Sequence, residues 1–204
     1  MIVINSKFND GMYIYHSADV LIFGNTEISG GSLYVESTNV TIWNSKISQR
    51  LQADIVNLNI HDLEKLQGMS DWGSGGACEY TRIDNVTFTS NVDILGTSLD
   101  FTNSSVSSYV VFYHKFVNMT NITIDGFLII GDNRVTSLAY LNNVTSTGHL
   151  SGGVRDLLHL EDVHTTLGSS QLRTSKLWMS NSTFEKSSSN PASYSIYVSD
   201  LGDH

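Results

Sequence analysis

The chain of 204 residues contains only one cysteine, Cys78, and only one proline, Pro191. A lone cysteine excludes an internal disulfide and a metal cluster built from cysteines. Proline removes a backbone hydrogen-bond donor, so its near absence suits a chain built from stacked strands. No apolar run is long enough to span a bilayer, so we expect no membrane span.

Charge is also scarce, since charged residues make up 15% of the chain and the net charge is -9. Nonspecific nucleic-acid binding needs many basic contacts to phosphates, so we exclude nucleic acid as a partner. Serine, threonine, asparagine and glycine are abundant instead. This composition is typical of secreted and virion proteins, and we expect an extracellular, cell-surface or virion location.

What the chain does contain is a short repeat, seen in residues 40–47, in which two alternating apolar residues precede an Asn or Asp. The polar residue recurs at steps of 18 to 23 residues, at Asn5, Asn25, Asn44, Asp62, Asn85, Asn103, Asn121, Asn142, Asp162, Asn181 and Asp200. We assign Leu138/Tyr140 as the apolar pair ahead of Asn142. One alternating strand per period of about 20 residues is typical of a solenoid whose repeats bury their apolar sides by stacking.

The repeat predicts an all-β fold, a single-stranded right-handed parallel β-helix of about ten coils with 18–23 residues per coil. Helical patterns are missing, propeller blades need about twice this period, and parallel crossovers are right-handed in nearly all cases. We predict one domain, 1–204, with a surface loop at 68–79 and a polar loop at 186–193. Both segments lack the alternation of the repeat.

The recurring Asn after each strand resembles the asparagine ladder of right-handed parallel β-helices, the superfamily of pectate lyases, polygalacturonases, phage tailspikes and surface adhesins. The resemblance implies that the ladder side chains stack inside one turn and bond the backbone of neighbouring coils. An inward amide offers two donors and an acceptor for this purpose. Asp62, Asp162 and Asp200 lack those donors, so the ladder is expected to be weakest there.

Enzymes of this superfamily act through outward side chains of one sheet, and the candidates here are Asp84 and Asp100 with Arg82 and His61. Strand spacing places the backbones of the two aspartates roughly 8 Å apart, which suits a carboxylate pair that flanks a glycosidic bond and a water. The family's catalytic signatures are missing, however. The chain has no Asp-Asp pair and no Arg-x-Lys, and it has Gly148-His149-Leu150 in place of Gly-His-Gly. Outward polar residues are usually only solvated.

Aromatic residues favour binding. Trp43 beside Phe23 lies toward one end of the predicted rod, and Trp178 and Tyr197 toward the other, while Trp72 lies in the 68–79 loop. Flat aromatic faces suit sugar rings, although they equally suit packing under loops or in a subunit contact. No metal and no cofactor are expected, because His159 and Glu161 share a face without a third ligand.

Glycosylation sequons occur seven times, but four of them coincide with the predicted inward ladder. An inward Asn carries no glycan without breaking the fold. The remaining candidates are Asn39, Asn118 and Asn143.

These observations predict a non-catalytic extracellular structural or recognition module of the adhesin, tailspike or virion-surface type that faces carbohydrate. The alternative is a polysaccharide lyase or glycoside hydrolase acting on an acidic polysaccharide. Expected partners are carbohydrate or a cell-surface glycan. Self-association or neighbouring domains are expected to cover the open strand edges at the uncapped ends.

Overall fold

The computed structural model describes residues 1–15, 20–70, 78–131, 136–166, 170–185 and 196–199. Within these ranges the regular secondary structure is entirely β-strand, and all strand pairs are parallel. The strands wind as a right-handed β-solenoid of about eight turns, which confirms the predicted fold class. The predicted count of ten is too high, because the first and last repeats contribute only strands of two to five residues to the stack.

The eighteen strands are β1 Ile2–Ile4, β2 Lys7–Phe8, β3 Met12–Ile14, β4 Val20–Gly24, β5 Glu27–Ile28, β6 Leu33–Trp43, β7 Lys46–Ser70, β8 Cys78–Phe88, β9 Val92–Val106, β10 Val110–Ile124, β11 Leu128–Ile130, β12 Leu138–Ser146, β13 Leu150–Val154, β14 Leu157–Thr165, β15 Ser170–Thr174, β16 Leu177–Ser180, β17 Thr183–Phe184 and β18 Ile196–Ser199. The longest of them continue around corners of the coil and so belong to more than one side of the rod.

Each turn crosses three sheets, which we call the first, second and third faces. The first face holds residues 20–24, 39–43, 57–61, 80–84, 98–102, 116–120, 138–142, 157–161 and 177–180. The second face includes 86–88, 104–106, 122–124, 144–146 and 163–165. The third face includes 33–37, 51–55, 92–96, 110–114, 128–130, 150–154, 170–174 and 196–199.

The core is a column of apolar side chains that alternate inward along every face. On the first face Ile42, Ile60 and Phe101 are 0% exposed. Phe101 makes edge-to-face contacts with Phe88 and Phe112, with ring centroids 6.1 and 5.7 Å apart. Burying one such large side chain contributes about 1.5 to 3 kcal/mol, so stacked repeats stabilise one another.

In each repeat whose corner the structure describes, a residue with a left-handed backbone joins the first face to the second. The φ angles run from 43° to 57° and belong to Asn5, Asn25, Asn44, Asp62, Asn85, Asn103, Asn121, Asn143, Asp162 and Asn181. Asn and Asp tolerate this conformation better than other residues with side chains. The requirement for a left-handed turn therefore explains why Asn or Asp recurs once per coil.

The corner corrects one predicted ladder position, since Asn143 and not Asn142 has the positive φ. Ala139 and Leu141 are the inward pair of that coil, at 0% and 1% exposure, whereas Tyr140 is 41% exposed. The assignment of Leu138/Tyr140 as the inward pair is wrong by one residue. In a strand such a shift exchanges the buried and solvent sides.

The orientation of the corner side chains also differs from the prediction. Asn85, Asn103 and Asn121 are exposed and do not stack inside the coil. They bond sideways on the surface, as when Asn121 Nδ2 donates to Asn103 Oδ1 at 2.9 Å and Asn143 Nδ2 donates to Asn121 Oδ1 at 2.9 Å. Asp200 lies outside the described residues. The outward direction follows from the left-handed backbone, which leaves the next residue pointing inward.

The next residue is often a hydroxyl, and it forms an inner row beside the corner. Thr26, Ser45 and Ser104 are at most 5% exposed. Ser104 Oγ accepts a bond from Val86 N of the preceding coil at 3.0 Å and donates to Thr102 O at 2.6 Å. Ser45 repeats this arrangement with Thr26 N and Trp43 O. In these coils the buried polar bonds beside the corner are thus made by hydroxyls, whereas apolar residues such as Leu63 and Ile122 hold the same position in other coils.

Both ends of the segment predicted as a loop at 68–79 are strand instead. Gly68, Met69 and Ser70 belong to β7, where Met69 is 1% exposed and pairs with Val92, and residues 78 and 79 begin β8. Residues 71–77, with Trp72, lie outside the described residues, as does the predicted loop at 186–193.

Candidate binding site

The first face carries three outward columns of side chains, each running along the rod at one residue per coil. The outer column contains Asn39, Asn57, Tyr80, Ser98, Phe116 and Leu138. The middle column contains Thr41, Asn59, Arg82, Asp100, Asn118, Tyr140, His159 and Trp178. The corner column, one position before the corner residues, contains Trp43, His61, Asp84, Thr102, Thr120, Asn142, Glu161 and Ser180. Neighbours within a column are one strand spacing apart, about 4.8 Å.

A cleft of about 170 Å³ opens between the outer and middle columns, and we call it the aromatic cleft. Its exposed walls are Tyr80, Phe116 and Tyr140, which are 39%, 38% and 41% exposed. Tyr80 and Phe116 flank the small side chain of Ser98 in the outer column. Two strand spacings separate their backbones by roughly 10 Å, which leaves a gap between the two aromatic side chains.

Polar groups at the cleft are held by a fixed set of hydrogen bonds. Asp100 Oδ2 accepts from the Tyr80 hydroxyl at 2.8 Å, and Asp100 Oδ1 accepts from Asn118 Nδ2 at 2.8 Å. Burial, and then the bond to Asp100, raise the pKa of Tyr80 above its usual value, so this hydroxyl keeps its proton. The carboxylate therefore stands oriented beside the aromatic side chains.

The four predicted catalytic residues lie together on the first face, each bonded to neighbours. Asp84 Oδ1 accepts from Thr102 Oγ1 and from Asn103 Nδ2, both at 2.8 Å, and Asp84 Oδ2 lies 3.6 Å from Arg82 Nη2. Asp84 is in the corner column and Asp100 in the middle column of the next coil.

His61 takes part in a separate contact, because its Nδ1 lies 2.9 Å from Asp62 Oδ2. The bond to His61, followed by a bond from Asn85, lowers the pKa of Asp62. The imidazole also lies parallel to the Trp43 ring, with centroids 6.4 Å apart. His61 therefore contacts Asp62 and Trp43 at the corner and does not line the aromatic cleft.

The predicted ligand-binding aromatics are scattered. Trp43 covers Gly24, where a Cβ atom would clash with the indole ring. Seven coils separate it from Trp178, which contacts His159 at a centroid distance of 3.9 Å. Tyr197 lies toward the same end as Trp178 but on the third face, opposite Gln171, whereas Trp178 lies on the first face. Phe23 is 1% exposed and points inward, which corrects its placement beside Trp43 on the surface.

The structure changes the argument about glycosylation. Asn39 and Asn118 lie on the first face, where Asn39 Oδ1 accepts from Asn57 Nδ2 at 2.9 Å. Asn143 is a corner residue. The corner asparagines of the other sequons are exposed as well, so an inward orientation does not exclude them.

Sequence reasoning missed Tyr80, Phe116 and Tyr140. Tyr80 and Phe116 lie one residue before the inward pair. The predicted outward positions lie between and just after that pair and so do not include them. Tyr140 was assigned to the core through the shifted pair. A rule that sets the second inward residue two positions ahead of the corner residue places Tyr80 and Phe116 outward, and it places Tyr140 outward once Asn143 and not Asn142 is taken as the corner.

In the described part of the chain no helix has the length and apolar character of a membrane span. The same residues contain no group of three or more His, Cys, Asp or Glu side chains placed to hold a metal ion. The chain matches no protein-family model, no curated protein and no solved structure.

Proposed function

We propose that this chain is a non-catalytic recognition module that binds carbohydrate through the aromatic cleft. The observation that carries the proposal is the combination of Tyr80, Phe116 and Tyr140 with the oriented amide and carboxylate of Asn118 and Asp100. Ligand sites commonly combine an apolar lining with a few placed polar groups.

Each part of the cleft matches one part of a sugar. The C–H face of a sugar ring packs on an exposed aromatic face, and its hydroxyl groups bond to amide and carboxylate oxygens at the ring edge. The three side chains are each more than a third exposed, so solvent reaches them in the free protein. Binding a sugar there removes apolar surface from water.

The aromatic surface continues along the rod. Tyr140 contacts His159 at a centroid distance of 5.5 Å, and His159 contacts Trp178 at 3.9 Å, all in the middle column. From Tyr80 to Trp178 the surface crosses five coil steps, roughly 24 Å. A chain of several sugars suits this surface better than a single one.

The right-handed parallel solenoid and the Asn or Asp at each corner support kinship with the pectate-lyase-like, tailspike and adhesin superfamily, which we include in the proposal. An extracellular, cell-surface or virion location follows from the same proposal. There a module of this kind meets glycans directly.

Catalysis by Asp84 and Asp100 is the weaker candidate. Both oxygens of Asp100 and one oxygen of Asp84 accept bonds that orient neighbouring side chains. Such bonds suit a structural and binding role.

The experiment is a glycan-array screen of the whole chain, followed by titration of the best ligand against Phe116→Ala and Tyr140→Ala. Tyr113→Ala is the matched control, because Tyr113 is 36% exposed but pairs with Leu95 on the third face. Loss of a stacking ring should weaken binding about tenfold, and the control should bind normally. Equal losses in all three variants, or no glycan bound by the wild type, would refute the proposal. Release of reducing or unsaturated ends would favour catalysis instead.

A further inference from the structure

We infer that the aromatic cleft selects glycans that carry free, protonated amino groups, and that Asp100 is the residue that sets this selectivity. The inference rests on the proposed function and adds a ligand class to it. It runs against the acidic polysaccharide that the sequence offered as an enzyme substrate.

The first support is that the Asp100 charge is not neutralised. Both of its recorded bonds come from neutral donors, the Tyr80 hydroxyl and the Asn118 amide. Among the described residues no ion pair joins it to a basic side chain. Arg82, its neighbour in the middle column, lies 3.6 Å from Asp84 instead.

The second support is unused hydrogen-bonding capacity. Each carboxylate oxygen has two lone pairs, and each oxygen of Asp100 accepts one recorded bond. An ammonium group carries three donors and no acceptor, so it matches a carboxylate that already holds its own neighbours in place. Hydrogen bonds between two charged groups are stronger than those between neutral ones.

The third support comes from the aromatic side chains. A cation is attracted to the face of Tyr or Phe within about 6 Å of the ring centroid. Lys115 Nζ lies 5.3 Å from the Phe116 centroid, so the protein's own ammonium group already occupies this ring in the free protein. Tyr80 and Tyr140 offer two further aromatic side chains at the same cleft.

The charged side chains near the cleft are the anions Asp84 and Asp100 and the cations Arg82 and Lys115, and the whole chain has a net charge of -9. Lys115 is exposed and its Nζ lies over the Phe116 ring, whereas Asp100 accepts from the Tyr80 hydroxyl, so a ligand on the Tyr80 side of the cleft lies nearest to Asp100. A uronate there faces a carboxylate, which is unfavourable. The expected order of affinity is amino sugar, then the N-acetylated sugar, then the uronate.

The test uses three oligosaccharides of equal length: a glucosamine oligomer, its N-acetylated form and a galacturonate oligomer. Each is titrated calorimetrically into the whole chain at mildly acidic pH and low salt. Asp100→Asn keeps the shape and removes the charge, and Asp54→Asn removes the same charge on the third face. Melting temperatures of both variants verify folding.

We expect the wild type to prefer the glucosamine oligomer over the N-acetylated one by about tenfold or more. Asp100→Asn should reduce this ratio to near one, while Asp54→Asn keeps it. If the galacturonate or N-acetylated oligomer binds at least as well, or if both variants lower the ratio equally, the inference fails and the proposed function stands. Absence of binding to every oligosaccharide refutes the proposed function, and the inference fails with it.

Discussion

Two rows of side chains lie side by side at the corner between the first and second faces, an outer row of amides and carboxylates and an inner row that combines hydroxyls with apolar residues such as Ile122. Asn103 in the outer row is exposed, whereas Ser104, the next residue, is 5% exposed. The outer amides bond to one another from coil to coil. The inner hydroxyls bond to the backbone of the preceding coil.

The difference shows where a hydrogen bond matters for stability. A donor in the outer row exchanges its partner for water when a neighbour is removed, so little free energy is lost. A buried backbone N–H in the inner row has no such substitute, and leaving it unpaired costs about 1 to 3 kcal/mol. Position relative to water, more than the type of side chain, therefore decides the effect of a substitution.

His114 gives the largest expected effect, because it is a buried polar side chain that makes no hydrogen bond within the described part of the chain. It is 0% exposed, and neither ring nitrogen has a hydrogen-bond partner among the described residues. Gly96 on the adjacent coil provides the space for the ring, since a Cβ there would lie 2.6 Å from His114 Nε2. Burial lowers the pKa of His114 from 6.5 to about 4.

The direction in which pH changes the free energy of unfolding follows from proton binding. Between these two pKa values the unfolded chain binds a proton that the folded chain excludes, so the free energy of unfolding falls as the pH falls. The full loss, about 3 kcal/mol, is reached below the folded pKa. His114→Phe should lack this loss, as measured by urea unfolding at a series of pH values. His159→Phe on the surface is the control, and parallel curves for wild type and His114→Phe would contradict the prediction.

The next effect concerns the inner row. Ser104→Ala removes the acceptor of Val86 N and should lower the free energy of unfolding by about 2 kcal/mol. Ser105→Ala is the matched control, because Ser105 points outward and makes only a 3.4 Å contact with Thr87 Oγ1. Its expected effect is within about 0.5 kcal/mol. Denaturant melts of both variants test this, and equal losses would contradict the importance of the inner row.

The fold was predictable because alternation and a corner residue recur in nearly every coil. The details at the corner were not. At Asn142 and Asn143 two amides stand in succession, and the pattern tolerated either one, so the pair was shifted and Tyr140 was placed in the core. The direction of the Asn side chains came from resemblance alone, whereas a left-handed backbone turns them outward.

The candidate site was only partly predictable for the same reason. Asp100 was recognised as an outward carboxylate, but its neighbours Tyr80 and Phe116 come from coils 18 residues away on either side. Their meeting depends on register between coils, which the repeat defines only when the corner residue is assigned correctly. The hydrogen bond from Tyr80 to Asp100 depends on the side-chain conformations of two neighbouring coils, which the sequence pattern does not specify.

The smallest expected effect separates backbone conformation from hydrogen bonding in the outer row. Asn121 has a φ of 57°, donates to Asn103 and accepts from Asn143. Asn121→Ala keeps a Cβ in the left-handed turn but removes the amide that makes this conformation tolerable, so it should lower the free energy of unfolding by about 1 kcal/mol. Asn121→Gly loses the same hydrogen bonds but fits the left-handed turn, so its stability should be nearly unchanged. Thermal and urea unfolding of both variants, with the exposed Asn118→Ala as a near-silent control, measures the difference. If glycine destabilises as much as alanine, the amide bonds along the corner stabilise the coil and the two rows are equivalent after all.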